Sequence, residues 1–254
     1  MSPNTKQSKF TVSIVGLSAK FWTNIANSLF IHNRKILSDA LENRGKGIPL
    51  ITVTNHHSTM DEPFLWGILQ PRQLVNQCLM RWAIAAHNMC FWSKPISQFF
   101  AFGKSIPVNR GAGVYQEGVD FAIERLNEGH WVHIYPEGKV NEKKIDMRYK
   151  WGVGRLIAEC NVNPIVIPIY HLGMDDIVPN TKPYFWFMRV PRVGKKLTVL
   201  IGDPIPYNDT LQDLRNKKAS DLEIRKSLTD LIEKHLKALR INAEIYHAKH
   251  SSKW

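Results

Sequence analysis

The stretch that decides the fold is Thr54-Asn55-His56-His57-Ser58-Thr59-Met60-Asp61-Glu62-Pro63. An apolar run of strand character, residues 48–53, precedes it, and an apolar run with helical spacing, residues 64–69, follows it. A strand that ends in His and Asp and then turns into a helix places polar side chains at the rim of a sheet. This stretch is therefore the first candidate for a functional site.

Five positions separate His56 from Asp61. Inside one helix that separation would turn the two side chains about 140° apart, because each residue advances by about 100°. They can meet if His56 lies in the turn and Asp61 lies in the first helical turn, where free N–H groups also favour its negative charge. A carboxylate on one imidazole nitrogen fixes the tautomer and leaves the other nitrogen free as a base.

The same residues also fit a role without chemistry. Ser58-x-x-Asp61 before an apolar run resembles a capping box, in which Asp61 would only begin a helix. Pro63 counts against Ser58 as the N-cap, since it would then fall at the fifth helical position and remove a needed N–H. Pro63 fits better as the first helical residue. Spacing alone leaves the two interpretations open.

The composition indicates a globular chain with an anionic partner. Of the 254 residues 44% are hydrophobic, and 34 Lys and Arg against 22 Asp and Glu give a net charge of +12. That excess favours nucleic acid or an anionic lipid surface. Eight Trp and eleven Phe favour a membrane interface, and no RNA-binding or zinc-finger signature is present. Because Cys78, Cys90 and Cys160 lack C-x-x-C spacing, zinc and disulfides are not expected, and we interpret the three as small buried hydrophobic residues.

The N-terminal region has its own composition. Residues 1–38 contain no Asp or Glu and carry five basic residues, which is typical of mitochondrial targeting. The apolar run at residues 10–31 is long enough to span a bilayer. Inserting Lys20, which lies at its centre, into the bilayer would cost about 2.5–3.5 kcal/mol. We favour a helix that lies in the membrane interface, with a core-packed helix as the alternative. Residues 79–103 interleave aromatic and cationic residues, which indicates either a second surface at headgroup level or a helical hairpin of the core.

Strand and helix patterns alternate along the rest of the chain, as in an α/β fold. Ile106-Pro107-Val108 reads as an edge strand that leads to Arg110, whose guanidinium can bind a phosphate or simply lie on the surface. Further strands are predicted at 131–135, 164–170 and 197–201, helices at 115–128, 151–159 and 222–241, a loop at 175–192 and a frayed tail after residue 246. The strand at 131–135 ends in Pro136-Glu137-Gly138-Lys139, so two polar strand ends are expected side by side.

Four blocks in order resemble the glycerophospholipid acyltransferase superfamily. They are Asn55-His56-x-Ser58-x-x-Asp61, Ile106-Pro107-Val108-x-Arg110-Gly111, Pro136-Glu137-Gly138 and Ile167-Pro168-Ile169. The resemblance covers roughly residues 45–205 and implies an α/β fold with a central mixed sheet flanked by helices, like that of glycerolipid acyltransferases. We expect residues 1–40 to form the N-terminal interfacial helix and targeting region, and residues 41–254 to form a single acyltransferase domain with a C-terminal amphipathic helix.

Within the superfamily, the chain is more similar to the phospholipid–lysophospholipid transacylases that remodel cardiolipin. The longest stretches that carry this similarity are 61–69, 129–141 and 150–160, together with Pro179-Asn180. Many superfamily members continue the Glu-Gly block with Thr-Arg-Ser, whereas this chain has Lys139-Val140-Asn141. The usual phosphate-binding arginine therefore cannot be carried over to this block.

The resemblance implies a catalytic pair and a phosphate pocket. His56 would take a proton from a lysophospholipid hydroxyl, and Asp61 would orient His56. Arg110 and Gly138, with Lys139 as a substitute for the missing arginine, would hold the lipid phosphate in a pocket organised by Glu137. No metal, cofactor or nucleic acid is implied, and no G-x-S-x-G elbow is present.

The expected partners are phospholipids including cardiolipin, lysophospholipids and a membrane surface, and the oligomeric state stays open. The expected location is mitochondrial, on the inner and outer membranes, facing the intermembrane space. The first alternative is a CoA-dependent lysophosphatidate or lysophospholipid acyltransferase, which would use the same pair. The second is a basic membrane-surface or nucleic-acid-binding module without chemistry, which explains the charge but not the four ordered blocks.

Overall fold

The computed structural model describes residues 6–180 and 191–252. Its strands are β1 (Ser28–His32), β2 (Leu50–Thr54), β3 (Trp82–Ala86), β4 (Ser105–Val108), β5 (Trp131–Ile134), β6 (Ile165–Leu172) and β7 (Lys196–Ile201). Its helices are α1 (Lys6–Asn24), α2 (Arg34–Glu42), α3 (Asp61–Leu65), α4 (Pro71–Leu74), α5 (His87–Cys90), α6 (Lys94–Phe102), α7 (Glu117–Asn127), α8 (Gly152–Ala158), α9 (Met174–Ile177), α10 (Asn208–Asn216) and α11 (Asp221–Ser251), with short 3₁₀ turns at Trp66–Ile68 and Gln77–Leu79.

Within the described residues, the seven strands form one sheet in the order β1-β7-β6-β2-β5-β3-β4. Its central strand β2 runs parallel to both neighbours, with Leu50 opposite Trp131 of β5 and opposite Ile165 of β6. The β6–β7 pair is antiparallel, so the sheet is mixed, as predicted. Because β2, β5 and β6 are parallel, their carboxyl ends meet at one edge of the sheet.

Both faces of the sheet are covered by helices. All five residues of β2 are buried, as expected for a central parallel strand with helices on each side. Leu50 belongs to a core shared with α1–α4, whereas Ile51 and Val53 belong to a core shared with α7, α8, α10 and α11. This alternation follows the two-residue period of a strand.

The N-terminal region differs from the prediction at its end. Helix α1 stops at Asn24, and residues 28–31, which were expected to continue it, belong to edge strand β1 (Ser28–His32), which pairs in parallel with β7. The Asn27 side chain stabilises the turn between α1 and β1. Its amide nitrogen donates to Trp22 O, and its Oδ1 accepts a hydrogen bond from Lys195 N. The first 40 residues therefore supply a strand of the sheet as well as a helix.

Three smaller expectations also need correction. Pro63 is the third residue of α3 and not the first. Cys78 is exposed, whereas Cys160 is buried as expected. The tail after residue 246 is helical to Ser251, because the His250 ring stacks on Phe30 with centroids 3.8 Å apart. Part of the loop predicted at 175–192 lies outside the described residues, and the described part contains most of α9.

Polar contacts hold α1 against the 3₁₀ turn at Trp66–Ile68. Lys20 Nζ donates to Gly67 O at 3.3 Å and to Leu69 O at 2.9 Å, and Asn24 Nδ2 donates to Gly67 O at 3.2 Å. None of the described helices combines the length and hydrophobicity needed to cross a bilayer.

We expect Gly67→Ala to loosen α1. A Cβ at Gly67 would lie 2.1 Å from Thr23 Oγ1 and 3.1 Å from Thr23 Cβ, and overpacking of this kind costs about 1–3 kcal/mol. Urea unfolding should show that loss of stability, and proteolysis should cleave α1 sooner. Adding Thr23→Ala removes the closer contact and should restore part of the loss. Wild-type stability of the single variant would contradict the close approach.

A second prediction concerns acid stability, because two buried histidines are held neutral. Burial is the main cause that lowers the pKa of His133 to about 3 and that of His57 to about 4. Between these values and the ordinary pKa of 6.5 the two residues bind more protons in the unfolded chain than in the folded chain, so their contribution to stability falls as pH falls. Each unmatched proton adds about 1.4 kcal/mol per pH unit.

Denaturant unfolding from pH 7 to pH 4 should show this decline. His133→Gln should flatten the slope, whatever its effect on stability at pH 7, because a group that takes up a proton on unfolding is gone. Equal slopes in the variant and the parent would contradict the neutral state of His133.

Candidate active site

The candidate site lies where β2, β5 and β6 end. The chain leaves β2 at Thr54, makes a turn through residues 55–60 and enters α3 at Asp61. This turn, called the catalytic turn below, is flanked by residues 135–141 after β5 and by the end of β6. The expected side-by-side arrangement of polar strand ends is thus confirmed.

His56 and Asp61 are in direct contact. His56 Nδ1 lies 2.9 Å from Asp61 Oδ2, and the Asp61 side chain is 0% exposed against 16% for His56. Oδ2 also accepts hydrogen bonds from the backbone N–H groups of His57 at 2.7 Å and Ser58 at 2.8 Å. Asp61 therefore binds the turn that precedes its helix in addition to the imidazole, which the capping interpretation alone does not explain.

The surroundings keep Asp61 ionised. Burial by itself would raise the pKa of Asp61, but the nearby His171 and the hydrogen bonds from His171 and His56 hold that pKa well below its usual range. A carboxylate accepts a hydrogen bond from His56 Nδ1–H, so the lone pair of His56 lies on Nε2. This is the arrangement that a general base needs.

Tyr135 fixes the plane of the His56 ring. The two rings stack with centroids 4.2 Å apart and planes 25° from parallel. The Tyr135 hydroxyl donates to Glu62 Oε2 at 3.2 Å, so the tyrosine is itself held. His56 is thereby fixed at one edge by Asp61 and on one face by Tyr135.

Glu62 in turn forms an ion pair with Arg81, whose side chain is buried, whereas the Glu62 side chain is 26% exposed. Arg81 Nε lies 2.9 Å from Glu62 Oε1, and the guanidinium carbon lies 5.5 Å from the Trp66 ring centroid and 5.6 Å from that of Trp131. Burial alone would raise the pKa of Glu62, but the positive charge of Arg81 lowers it. Glu62 is therefore a fixed negative charge in the wall beside His56.

The four residues predicted to bind the lipid phosphate do not all lie at the cavity. Glu137 is buried, and its Oε1 accepts a hydrogen bond from the His56 backbone N at 3.1 Å, so it braces the catalytic turn. Burial raises the pKa of Glu137. Gly138, with φ of 71°, and the exposed Arg110 line the cavity described next. Lys139 is exposed and is not among the residues that line it.

A large apolar cavity of about 1360 Å³ opens beside His56. Its walls come from α1, from α5 and α6, and from the catalytic turn, with Ile14, Trp22, Met60, Met89, Trp92 and Phe100 among the lining side chains. His56, Glu62 and Arg110 bring polar groups to this lining. The cavity can hold aliphatic chains next to a base and a cation.

The sequence assigned no role to three residues that hold the catalytic turn, although Asn55 and Asn180 stand in the quoted motifs. His171, at 0% exposure, places its Nε2 3.4 Å from Asp61 Oδ2 and 3.0 Å from Asn55 O. The Asn55 amide bonds both His171 N and His171 O, and Asn180 Nδ2 donates to His57 O at 2.6 Å. His171 follows a run of β-branched residues at the end of a strand. That pattern could have predicted a third polar strand end.

Comparison with known proteins gives concordant matches. The acyltransferase family model matches residues 35–172. Tafazzin of Drosophila melanogaster is 44% identical over 94% of this chain, and the chain spans 62% of that relative's length. The protein named taffazin of Dictyostelium discoideum is 37% identical over 85% of this chain and 75% of its own length.

Two further matches are informative. The N-acylphosphatidylethanolamine synthase of Arabidopsis thaliana is 39% identical over 78% of this chain and 70% of its own length. The crystal structure of the 1-acyl-sn-glycerophosphate acyltransferase of Thermotoga maritima superposes with a TM-score of 0.59 at 16% identity, over 91% of this chain and 79% of that one, so it shows the fold. The chain therefore belongs to the acyltransferase family, in the branch that contains the tafazzins.

Proposed function

We propose that this protein transfers acyl chains between phospholipids and lysophospholipids without CoA, and that it thereby remodels cardiolipin in mitochondrial membranes. The observation that carries the proposal is the His56–Asp61 pair in the wall of a large apolar cavity. The similarity to proteins named tafazzin supports the choice of reaction. The basic N-terminal region without acidic residues supports the mitochondrial location, facing the intermembrane space.

In the transfer step His56 acts first as a general base and then as a general acid. His56 Nε2 takes the proton from the lysophospholipid hydroxyl while the oxygen attacks the ester carbonyl of a donor phospholipid. Asp61 stabilises the imidazolium that forms. The tetrahedral intermediate then collapses, the C–O bond to the donor glycerol breaks, and the departing oxygen takes the proton back from His56. One ester bond forms and one breaks, so no cofactor is consumed.

The lining of the cavity fits lipid substrates. Ligand cavities for small molecules typically measure about 300–1,000 Å³, and the larger volume of about 1360 Å³ suits long acyl chains. Arg110 is the cation in this lining, and among the described residues no hydrogen bond or ion pair engages its guanidinium. We assign the lipid phosphate to Arg110, with the Gly138 backbone beside it. Lys139 stays an outer candidate for the same phosphate.

The cavity walls also present an apolar surface to the outside. Phe10, Ile14, Leu17 and Phe21 follow each other at helical spacing on α1, and each is at least half exposed. Met89 and Trp92, beside the same cavity, are exposed as well. A helix with such a stripe lies in a membrane interface, from which acyl chains would reach His56 without crossing water.

The proposal is tested by supplying purified protein with a labelled phospholipid and an unlabelled lysophospholipid in the absence of CoA. We expect label to appear in the acceptor. His56→Ala and Asp61→Asn should reduce transfer by about 10²–10⁴-fold, because general-base catalysis contributes that much, while both variants still bind vesicles.

Transfer that requires acyl-CoA would instead identify the alternative lysophosphatidate or lysophospholipid acyltransferase. Wild-type turnover in His56→Ala would exclude the proposed base. A protein that binds vesicles but transfers no label under either condition would be a binding module. Phosphatidylethanolamine should be included as an acceptor, because one relative is named for N-acylation of that lipid.

We also expect the α1 stripe to govern membrane binding. The triple variant Phe10→Ser, Ile14→Asn, Leu17→Gln should bind cardiolipin-containing vesicles at least tenfold more weakly, since each apolar side chain contributes about 1.5–3 kcal/mol when buried. Flotation with vesicles measures the effect. The matched control is Ile241→Asn with Ile245→Asn, which removes exposed apolar side chains from α11. An equal loss in both variants would contradict a specific role of α1.

A further inference from the structure

His171 is a buried histidine that the transfer step leaves unused. It lies on β6, and its Nε2 faces two oxygen atoms, Asn55 O at 3.0 Å and Asp61 Oδ2 at 3.4 Å. A carbonyl and a carboxylate only accept hydrogen bonds. In both the neutral and the charged form of the ring, Nε2 must therefore carry a proton.

We propose that His171 is a positioning residue for the catalytic pair: its Nε2–H donates to Asp61 Oδ2 and Asn55 O and holds the carboxylate in line with His56. The inference rests on the proposed function, because it concerns the same proton transfer. His171 itself meets no substrate, since its side chain has no exposed surface and does not line the cavity.

The contacts of Asp61 explain why this donor matters. Oδ2 is approached by four N–H groups, whereas Oδ1 has no hydrogen-bond partner among the described residues. Three of the four donors, the His56 ring and the backbone N–H groups of His57 and Ser58, belong to the catalytic turn itself. Within the described part of the chain, His171 is the donor that reaches Oδ2 from another strand. It therefore ties the carboxylate to the sheet.

The register of the sheet fixes the position of His171. Thr54 of β2 lies opposite Ile169 of β6, so Asn55 and His171 follow as neighbours beyond that pair. Asn55 Oδ1 accepts from His171 N at 2.9 Å, and Asn55 Nδ2 donates to His171 O at 3.0 Å. Two hydrogen bonds on one backbone unit leave the ring little freedom to move away from Asp61.

Several charged and titratable groups around His171 influence its protonation. Beyond Asp61 and His56, the His57 ring lies 5.8 Å away by centroids in an edge-on arrangement. The carboxylate of Asp175 on α9 also acts electrostatically on His171 and is paired with Lys144 at 2.8 Å, and His133 of β5 is within electrostatic range as well. Of these groups, the Asp61 carboxylate is the one that His171 contacts.

The chemical consequence concerns the proton on His56. A donor on Oδ2 draws off part of the negative charge that faces the imidazolium. Without that donor the carboxylate would hold the proton of His56 more tightly and would also be less well oriented. The acidic limb of the pH–rate profile should then move to higher pH, and turnover should fall.

Two substitutions separate the N–H group from the rest of the ring. In His171→Gln the side-chain amide can place an N–H near the Nε2 position, whereas His171→Phe keeps the ring shape and removes the donor. In the CoA-free transfer assay from pH 5 to pH 9, we expect His171→Phe to lose roughly 10–100-fold in kcat/KM, the worth of one hydrogen bond to a charged group, with its acidic limb shifted upward. His171→Gln should keep the wild-type limb and most of the activity.

The outcomes are distinct. A wild-type profile in His171→Phe would overturn the proposal, and so would equal losses in both variants, since the N–H would then not be the cause. If His171→Phe does not fold, ¹⁵N NMR of the wild-type imidazoles decides, with His171→Gln used to assign the signal. The proposal requires a protonated Nε2 throughout, and an Nδ1–H tautomer would overturn it. Failure of the proposed function would show differently, as absent transfer in the wild type.

Discussion

The structure depends on one buried carboxylate. The Asp61 side chain has no exposed surface, and its Oδ2 accepts hydrogen bonds from His57, Ser58 and His56, with His171 Nε2 3.4 Å away. An ionised group at such a site is tolerated only if its charge is met by hydrogen bonds and opposite dipoles. The polar contacts close to it follow from that requirement. The same contacts orient His56, so the stability of the turn and the chemistry have one physical cause.

Further contacts around Asp61 hold the backbone and the ring of His56. The backbone of His56 is held by Glu137 and by the N–H of Asn141, and the next turn residue is held by Asn180. The ring of His56 is held by Tyr135, whose hydroxyl leads to Glu62 and from there to the buried guanidinium of Arg81. These contacts hold the His56 ring in place although it borders a large cavity.

The cavity lies between strands β3 and β4 and helices that pack outside the sheet. Helix α1 is docked by Lys20, and α5 and α6 contribute no buried residues of their own, yet these three helices supply a large part of the apolar wall. Lys20 illustrates how tertiary structure changes the meaning of a residue. In the sequence it argues against a membrane span, and in the structure it binds two carbonyl groups of the 3₁₀ turn that α1 packs on. The combination leaves an apolar helix face open while the helix stays attached.

Several features could be determined from the sequence alone because they are local or periodic. The strand–turn–helix at 48–69 and the two polar strand ends follow from short-range patterns that the structure keeps, whereas spacing alone left open whether Asp61 contacts His56 or only caps a helix. Edge strand β1 could not be separated from α1, because Leu29, Phe30 and Ile31 continue an apolar run and only pairing with β7 decides their conformation. The role of Glu137 on the His56 backbone, the exclusion of Lys139 from the cavity and the approach of His171 to Asp61 depend on register between strands that are 80 or more residues apart in the chain. Sequence determined which residue types stand at the strand ends, and tertiary structure alone decided which of them meet, because a contact across a sheet is fixed by pairing and not by spacing.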